Sequence, residues 1–465
     1  MANDLTLKFK TTKDLTKGDV KKNILSFALP ILVSQIFQQF YNIADSLIVG
    51  NFIGKNALAA VSTSGNLIFL LISFFEGAAM GAGIVVAKYF GAGDNENVSK
   101  AIHTNILFGF ICGVALTIFG VALTPYILKL MNTDAEVLPL AIEYFRYYFI
   151  GVLAVVLYNI FTGIMRAVGD SKRPLIYLII SSLLNIVLDL LFVAVLKKGV
   201  AYCAIATTIS QFVSVILCLI QLKKKGTIYY FQFKKLKIHK DMLKEMLQYG
   251  LPTGVQNSVI GFANVIVQSN INAFGADAMA GYGAYIKIEG FAFLPINCIA
   301  MALSTFIGQN LGASKYDRAK EGAKFGMIVS PITAEVIGLA CFALAPYLIG
   351  LFNRSDGVLY YGVKEMRIES LFFFLLSFSH MIAAVLRGAG KAVVPMGIML
   401  SIWCVFRIIY IITVTRIFGD ITYIYIAYPI TWTLSSIAFL IYYKKSDWIH
   451  GFDGKRKPIE PPDEE

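Results

Sequence analysis

Near the start of the chain, four polar side chains interrupt an otherwise apolar stretch, QIFQQFYNIADSLIVG at 35–50. Gln35, Gln38, Asn42 and Asp45 recur at spacings of three, four and three, which places them on one face of a helix. The enclosing segment, 24–49, is long enough to cross a bilayer at about 20 residues per crossing. A carboxylate at membrane depth costs about 2.5–3.5 kcal/mol on insertion scales, so it normally faces a cavity or a partner and marks an ion or proton path. The plainer reading puts Asp45 at the outer interface, close before Gly50. A second set, Ser181, Asn185 and Asp189, lies on one face of the span at 174–196. Two acids at similar depth, each beside an amide, form a candidate cation or proton site, because paired carboxylates in a low dielectric resist double ionisation. Thr207 and Thr208 add hydroxyl oxygens, and Tyr144 adds a phenol.

Other polar groups are candidates of lower rank. Glu76 sits mid-span before the small-residue run 77–83, as a second titrating group or as a buried clamp. In the second half, Asn257, Asn264, Gln268 and Asn272 repeat the amide stripe of 35–45, but the position matching Asp45 is Val267. The buried acids expected there are Glu289, with Lys287 close enough to neutralise it, and Glu335. The second half thus reads as poorer in charge, a shaper of the substrate cavity. Met279, Phe291, Met301 and Phe306 are candidate pocket walls, although a lipid-facing or core-packing role is the commoner reading of any one of them.

The elements that must hold these residues follow from composition. Hydrophobic residues make up 57% of the chain and charged residues 15%, against about 25% charge in soluble domains, so a soluble fold is excluded. Twelve apolar spans are expected, at 24–49, 58–87, 101–125, 138–162, 174–196, 200–222, 246–274, 283–309, 323–350, 366–386, 393–418 and 421–443. The polar stretch from Lys8 to Lys22 and the long first span do not fit a cleavable signal. Thirty Lys and Arg fall in the two tails and the even-numbered connections, and six in the odd-numbered ones. The net charge of +12 is therefore topology, not a nucleic-acid surface, and it predicts both termini and the basic linker in the cytoplasm. The six cysteines, all inside apolar spans without a CxxC pair, read as small buried hydrophobes, and the four histidines have no metal-ligand spacing.

The halves repeat. Gly91-Ala92, Pro125-Tyr126, Met80, Arg166, Gly169 and Pro174 recur at one constant spacing as Gly312-Ala313, Pro346-Tyr347, Met301, Arg387, Gly390 and Pro395. Leu29-Pro30, Gln35 and Asn42 correspond to Leu251-Pro252, Asn257 and Asn264 at a spacing longer by one. Six spans per half is an even number, so both copies have the same orientation. Such parallel repeats build alternating-access transporters with a site between the halves. The expected fold is an all-α membrane protein, twelve transmembrane helices in two six-helix lobes. Its expected parts are a cytoplasmic tail (1–22), an N-lobe (23–222), a basic linker (223–242), a C-lobe (243–444) and a cytoplasmic tail (445–465).

With LPILVSQIFQQFYNIADSLIVGNFIGKNALAAVS opening the first half and LPTGVQNS the second, the chain resembles the multidrug and toxic compound extrusion (MATE) family. AKYFGAGD, MRAVGDSKRP, AIATTISQ and LRGAGKAVVP extend the resemblance from about residue 20 to 445. It implies an exporter of cationic or amphipathic compounds in the plasma membrane, driven by inward H⁺ or Na⁺ and needing no cofactor. It also implies a first-half cation site at Asp45, Asn185 and Asp189, with Tyr144 and Thr207 as weaker members and Glu76, Gln38 and Asn42 as additional candidates. The cavity candidates are Gln35, Asn257, Asn264, Gln268, Glu289 and Met301. The segment Ser258-Val259-Ile260-Gly261 lacks the acid of the NorM-type branch, so the resemblance leans to the DinF-type branch. The expected partners are small molecules and membrane lipid, with no nucleic acid and no metal beyond Na⁺, and the chain is expected to act as a monomer. The alternatives are a flippase for lipid-linked precursors, which would want a more basic cavity, a non-transporting scaffold, and a membrane enzyme, for which no catalytic motif is present.

Overall fold

The computed structural model describes residues 13–130, 133 and 136–452. The outer parts of the expected tails, 1–12 and 453–465, lie outside the described residues. The helices are α1 (Val20–Phe52), α2 (Lys55–Gly91), α3 (Asn95–Leu130), α4 (Leu138–Ala167), α5 (Lys172–Val195), α6 (Ala201–Leu222), α7 (Lys240–Asn272), α8 (Ala276–Gly312), α9 (Tyr316–Gly350), α10 (Asp356–Ser370 with Phe373–Gly388), α11 (Val393–Phe418) and α12 (Thr422–Lys445). Among the described residues twelve helices form two six-helix lobes, α1–α6 and α7–α12, and up to ten of them are long and apolar enough to cross a membrane.

Local chemistry sets several helix ends. Asp19 caps α1 by accepting the Lys22 amide at 2.6 Å. Gly54 and Gly275 precede α2 and α8 with φ of 120° and 101°, and Gly169 and Gly390 close α4 and α10 with φ of 85° and 76°. Both pairs keep the spacing of the sequence repeat, which therefore extends to the left-handed turns. A third pair is Gly93 and Ser314, where the second copy holds a left-handed conformation without glycine. α10 bends by 53° at its break, and Glu335 of α9 accepts the freed Phe374 amide at 3.3 Å. Glu335 is thus a cap for the broken helix.

Small residues bring the lobes together. A Cβ on Gly77 or Gly81 of α2 would overlap the backbone of α7 at Gly254 or Gly250, and one on Gly312 would overlap Lys88. Asn257 donates to the Ser73 carbonyl across the same seam at 3.3 Å. Buried Lys88 of α2 pairs with Glu245 of α7 at 2.5 Å, while the Tyr89 and Tyr249 hydroxyls also donate to Glu245. The segment before α1 is sewn to the C-lobe at this end. The Leu15 amide donates to Gln309, Lys315 and Arg318 donate to the carbonyls of Thr16 and Gly18, and Gln309 reaches back to the Ala167 carbonyl. The linker docks here too, through Tyr229 between Gln221, Arg173 and Asp170, and through the Gln232 amide on His103. The interlobe contacts named here all lie in the half of the bundle nearest this basic end.

Candidate functional site

α1 carries Asp45 towards α5, and α5 packs on α6. Helical spacing alone puts Asn185 and Asp189 on the same face of α5, and both are buried, at 2% and 0% exposure. Asp189 is the last residue before a wide π-helical turn, Leu190–Val195, the kind of irregularity that often adjoins a site. Carboxylate oxygens of Asp45 and Asp189 and the Cys203 sulfur of α6 lie within 4.8 Å of one another. Asn185 donates to the Thr207 hydroxyl at 3.3 Å, leaving its own carbonyl oxygen free to point elsewhere. Asp45 Oδ1, both Asp189 oxygens and Asn185 Oδ1 are buried without a hydrogen-bond partner. Buried acceptors are normally satisfied, so these four atoms on α1 and α5 make this the candidate site, and Asp45 and Asp189 approach closely enough to share one proton. Tyr144 is buried in the apolar cluster that also contains Cys203, Val193 and Val200, and it stacks on Tyr148. Tyr41 and Tyr144 are electrostatic neighbours of Asp45.

The structure therefore brings Asp45 and Asp189 together with Cys203, pairs Asn185 with Thr207 one helical turn away on α5, and sets Tyr144 near Asp45. Thr208 instead fits against Gly151 of α4. Gln35 and Gln38 are half-buried on α1, and Asn42 is exposed on the same helix. Glu76 is exposed on α2. Asn257 is spent on the lobe seam, whereas Asn264 and Gln268 are exposed and Met301 is half-buried. Met279 and Phe291 are exposed, while Phe306 is core, packed on Gly322.

Two readings of the second half are corrected. Lys287 does not neutralise Glu289: its Nζ lies 5.5 Å from the centre of the Phe352 ring, and the side chain is exposed. Nor is the C-lobe poor in buried charge. Glu365 and Glu369, one turn apart on the first part of α10, are fully buried, and Tyr285 of α8 donates to Glu369 at 2.8 Å. Both oxygens of Glu365 lack partners. Arg407, buried on α11 just after a π-helical stretch, donates to Thr431 at 2.8 Å and stacks 4.3 Å over Tyr428. Glu289 is an electrostatic neighbour of both Arg407 and Glu369. These acids were missed because DGVLYYGVKEMRIES has the polarity of a loop. Its heptad-like apolar spacing (Val358, Gly362, Met366 with Glu365 and Glu369) is the signal that a buried helix was there. Cys203 was missed because a thiol in an apolar run looks like packing until its neighbours are known.

Two lobes of membrane-spanning helices related by a repeat, each with buried charge, define a multi-pass membrane protein of the parallel-repeat class that transporters use. A family model described as MatE matches the chain twice, at 30–191 and 252–413, one copy in each lobe and in the register of the repeat. The chain belongs to the MatE family. Among its curated relatives, the probable multidrug resistance protein YoeA of Bacillus subtilis is 28% identical over 443 residues, 93% of this chain and 95% of that protein. The probable multidrug resistance protein NorM of Thermotoga maritima is 27% identical over 408 residues, 83% of this chain and 84% of its own length. Among solved structures, a MOP superfamily transporter from Pyrococcus furiosus superposes with a TM-score of 0.87 at 23% identity, covering 93% of this chain and 98% of the other. An outward-facing MATE-family transporter gives the same TM-score at 24% identity and the same coverage.

Proposed function

We infer that this protein is a cation-coupled antiporter that exports cationic or amphipathic small molecules across the plasma membrane by alternating access. The observation that carries the reading is the meeting of Asp45 and Asp189 in a buried cluster where three carboxylate oxygens have no partner. Two bare carboxylates with oxygens within 4.8 Å of each other repel by at least about 3.5 kcal/mol at an effective dielectric of about 20, so the pair favours a bound proton or a cation. The oxygens of Asp45, Asp189, Asn185 and Thr207 suit Na⁺ as well as a proton. Loading this site changes the charge between α1 and α5, and α1 is the helix whose leading segment is tied to the C-lobe. Ion binding is thereby linked to the lobe seam. The names of the multidrug-resistance relatives support the substrate class. In this reading the N-lobe comprises 23–222 and the C-lobe 243–444, the basic end is cytoplasmic with both termini, and the functional unit is a monomer. The missing second-half acid in 258–261 is in keeping with DinF-type, first-half coupling.

The test is dye efflux from proteoliposomes under a proton gradient and, separately, a Na⁺ gradient. One gradient drives export, and Asp45→Asn or Asp189→Asn abolishes it at unchanged protein level. Export at the parental rate in Asp45→Asn, or no export of any cationic dye under either gradient, removes the coupling role.

A further inference from the structure

We propose that Cys203 makes the N-lobe cluster a mixed sulfur–oxygen site that captures a soft divalent metal ion, Zn²⁺ or Cd²⁺, in place of the coupling ion. This rests on reading the cluster as a cation site, but it adds a sulfur ligand that Na⁺ does not favour. Hard cations select oxygen, whereas thiolates select soft ions. The Cys203 sulfur, buried at 0% exposure, and the two carboxylates lie within 4.8 Å of one another. Ligands on one tetrahedral zinc, at about 2.0 Å for oxygen and about 2.3 Å for sulfur, stand roughly 3.5 Å apart, so shifts of about 1 Å complete the set. The independent sign of a ligand is the orphaned oxygens. Asp189 is fully buried with neither oxygen accepting a hydrogen bond from a protein donor, and Asn185 Oδ1, one helical turn earlier on the same face, is also buried without one.

Charge fixes the protonation as well. The thiol proton leaves to solvent as the sulfur–metal bond forms, and one carboxyl keeps its proton and binds through its carbonyl oxygen, so one thiolate and one carboxylate match the 2+ charge. The candidate entrance is a pocket of about 310 Å³ lined by Phe52, Ile53, Val193, Lys197 and Lys198, where Val193 belongs to the same apolar cluster as Cys203 and Ile53 packs against it. The two lysines at its rim repel a dication, so loading is slow at low salt and faster when they are screened.

The test is Cd²⁺ titration of the purified full-length protein, followed by the ultraviolet thiolate-to-Cd²⁺ charge-transfer band. Wild type develops the band at one equivalent. Cys203→Ala loses it, Cys112→Ala keeps it, and Asp189→Asn, whose amide still fits the site, weakens the apparent affinity by about tenfold or more. No band in wild type, a band that survives Cys203→Ala, or an unchanged affinity in Asp189→Asn overturns the proposal. The coupling reading fails separately: if Asp45→Asn exports dye normally while the band is intact, the metal site stands and the coupling role does not.

Discussion

Glu245→Gln tests the lobe seam in one step. Lys88 is 2% exposed and its partner Glu245 9%, so the substitution takes the paired carboxylate from a buried ammonium. Breaking a buried pair from one side costs about 3–5 kcal/mol. Gln keeps one oxygen as acceptor for one of the two tyrosine hydroxyls, and its NH2 can donate to the other, which places the cost near the lower figure. The cost falls on the state in which the basic end is shut, because separating the lobes returns Lys88 to water. A shift of about 3 kcal/mol is a factor of about 150 in the equilibrium between shut and open, enough to turn a 99:1 preference into a minority. The assay is a spin-label distance between exposed positions 96 on α3 and 321 on α9, one on each lobe. A longer-distance population appears in Glu245→Gln and disappears again when Lys88→Met is added, since a neutral pair needs no partner. An unchanged distance distribution in the single variant, or equal opening in the double variant, refutes the assignment of Lys88–Glu245 as the clasp.

Further outcomes follow from other parts of the molecule. Gly81→Val places side-chain atoms inside the Gly250 backbone and so prevents the seam from closing, reducing dye export to background while each lobe stays folded by protease protection. Arg407→Gln removes a buried guanidinium that donates to Thr431 and stacks over Tyr428 and lowers thermal stability by the equivalent of about 1.5–3 kcal/mol, whereas Glu365→Gln, which breaks no hydrogen bond, is neutral or stabilising in the same thermal-shift assay. Burial alone would push the Asp14 carboxyl up, but hydrogen bonds from the Thr16 hydroxyl and amide and from Lys17 hold it below its usual range. A carboxyl with a depressed folded value stabilises above its unfolded value and loses that contribution as pH falls through the folded one. The segment before α1 therefore stays protected from proteases down to about pH 4 and loosens only in stronger acid.

What a single helix does was legible in the residues themselves. The spacing of Gln35, Gln38, Asn42 and Asp45, and of Asn185 and Asp189, defines shared faces because 3.6-residue periodicity is a local property of the backbone. The repeat, down to the paired glycines at 54 and 275, was likewise written in the chain, because a duplicated fold needs the same turns twice.

What lies between helices was decided only by the tertiary structure. Glu365 and Glu369 lie on a helix too polar to face lipid, and packing of α8, α9 and α12 around it makes their burial viable. Hydropathy measures compatibility with lipid, not burial in protein, so it drew that span just too late to include Glu365. Lys88 and Glu245 are 157 residues apart, and nothing local links them. The same is true of Cys203, which joins Asp45 and Asp189 only because α1, α5 and α6 converge. Periodicity determines which side chains share a face, but which faces meet depends on contacts between segments distant in the chain.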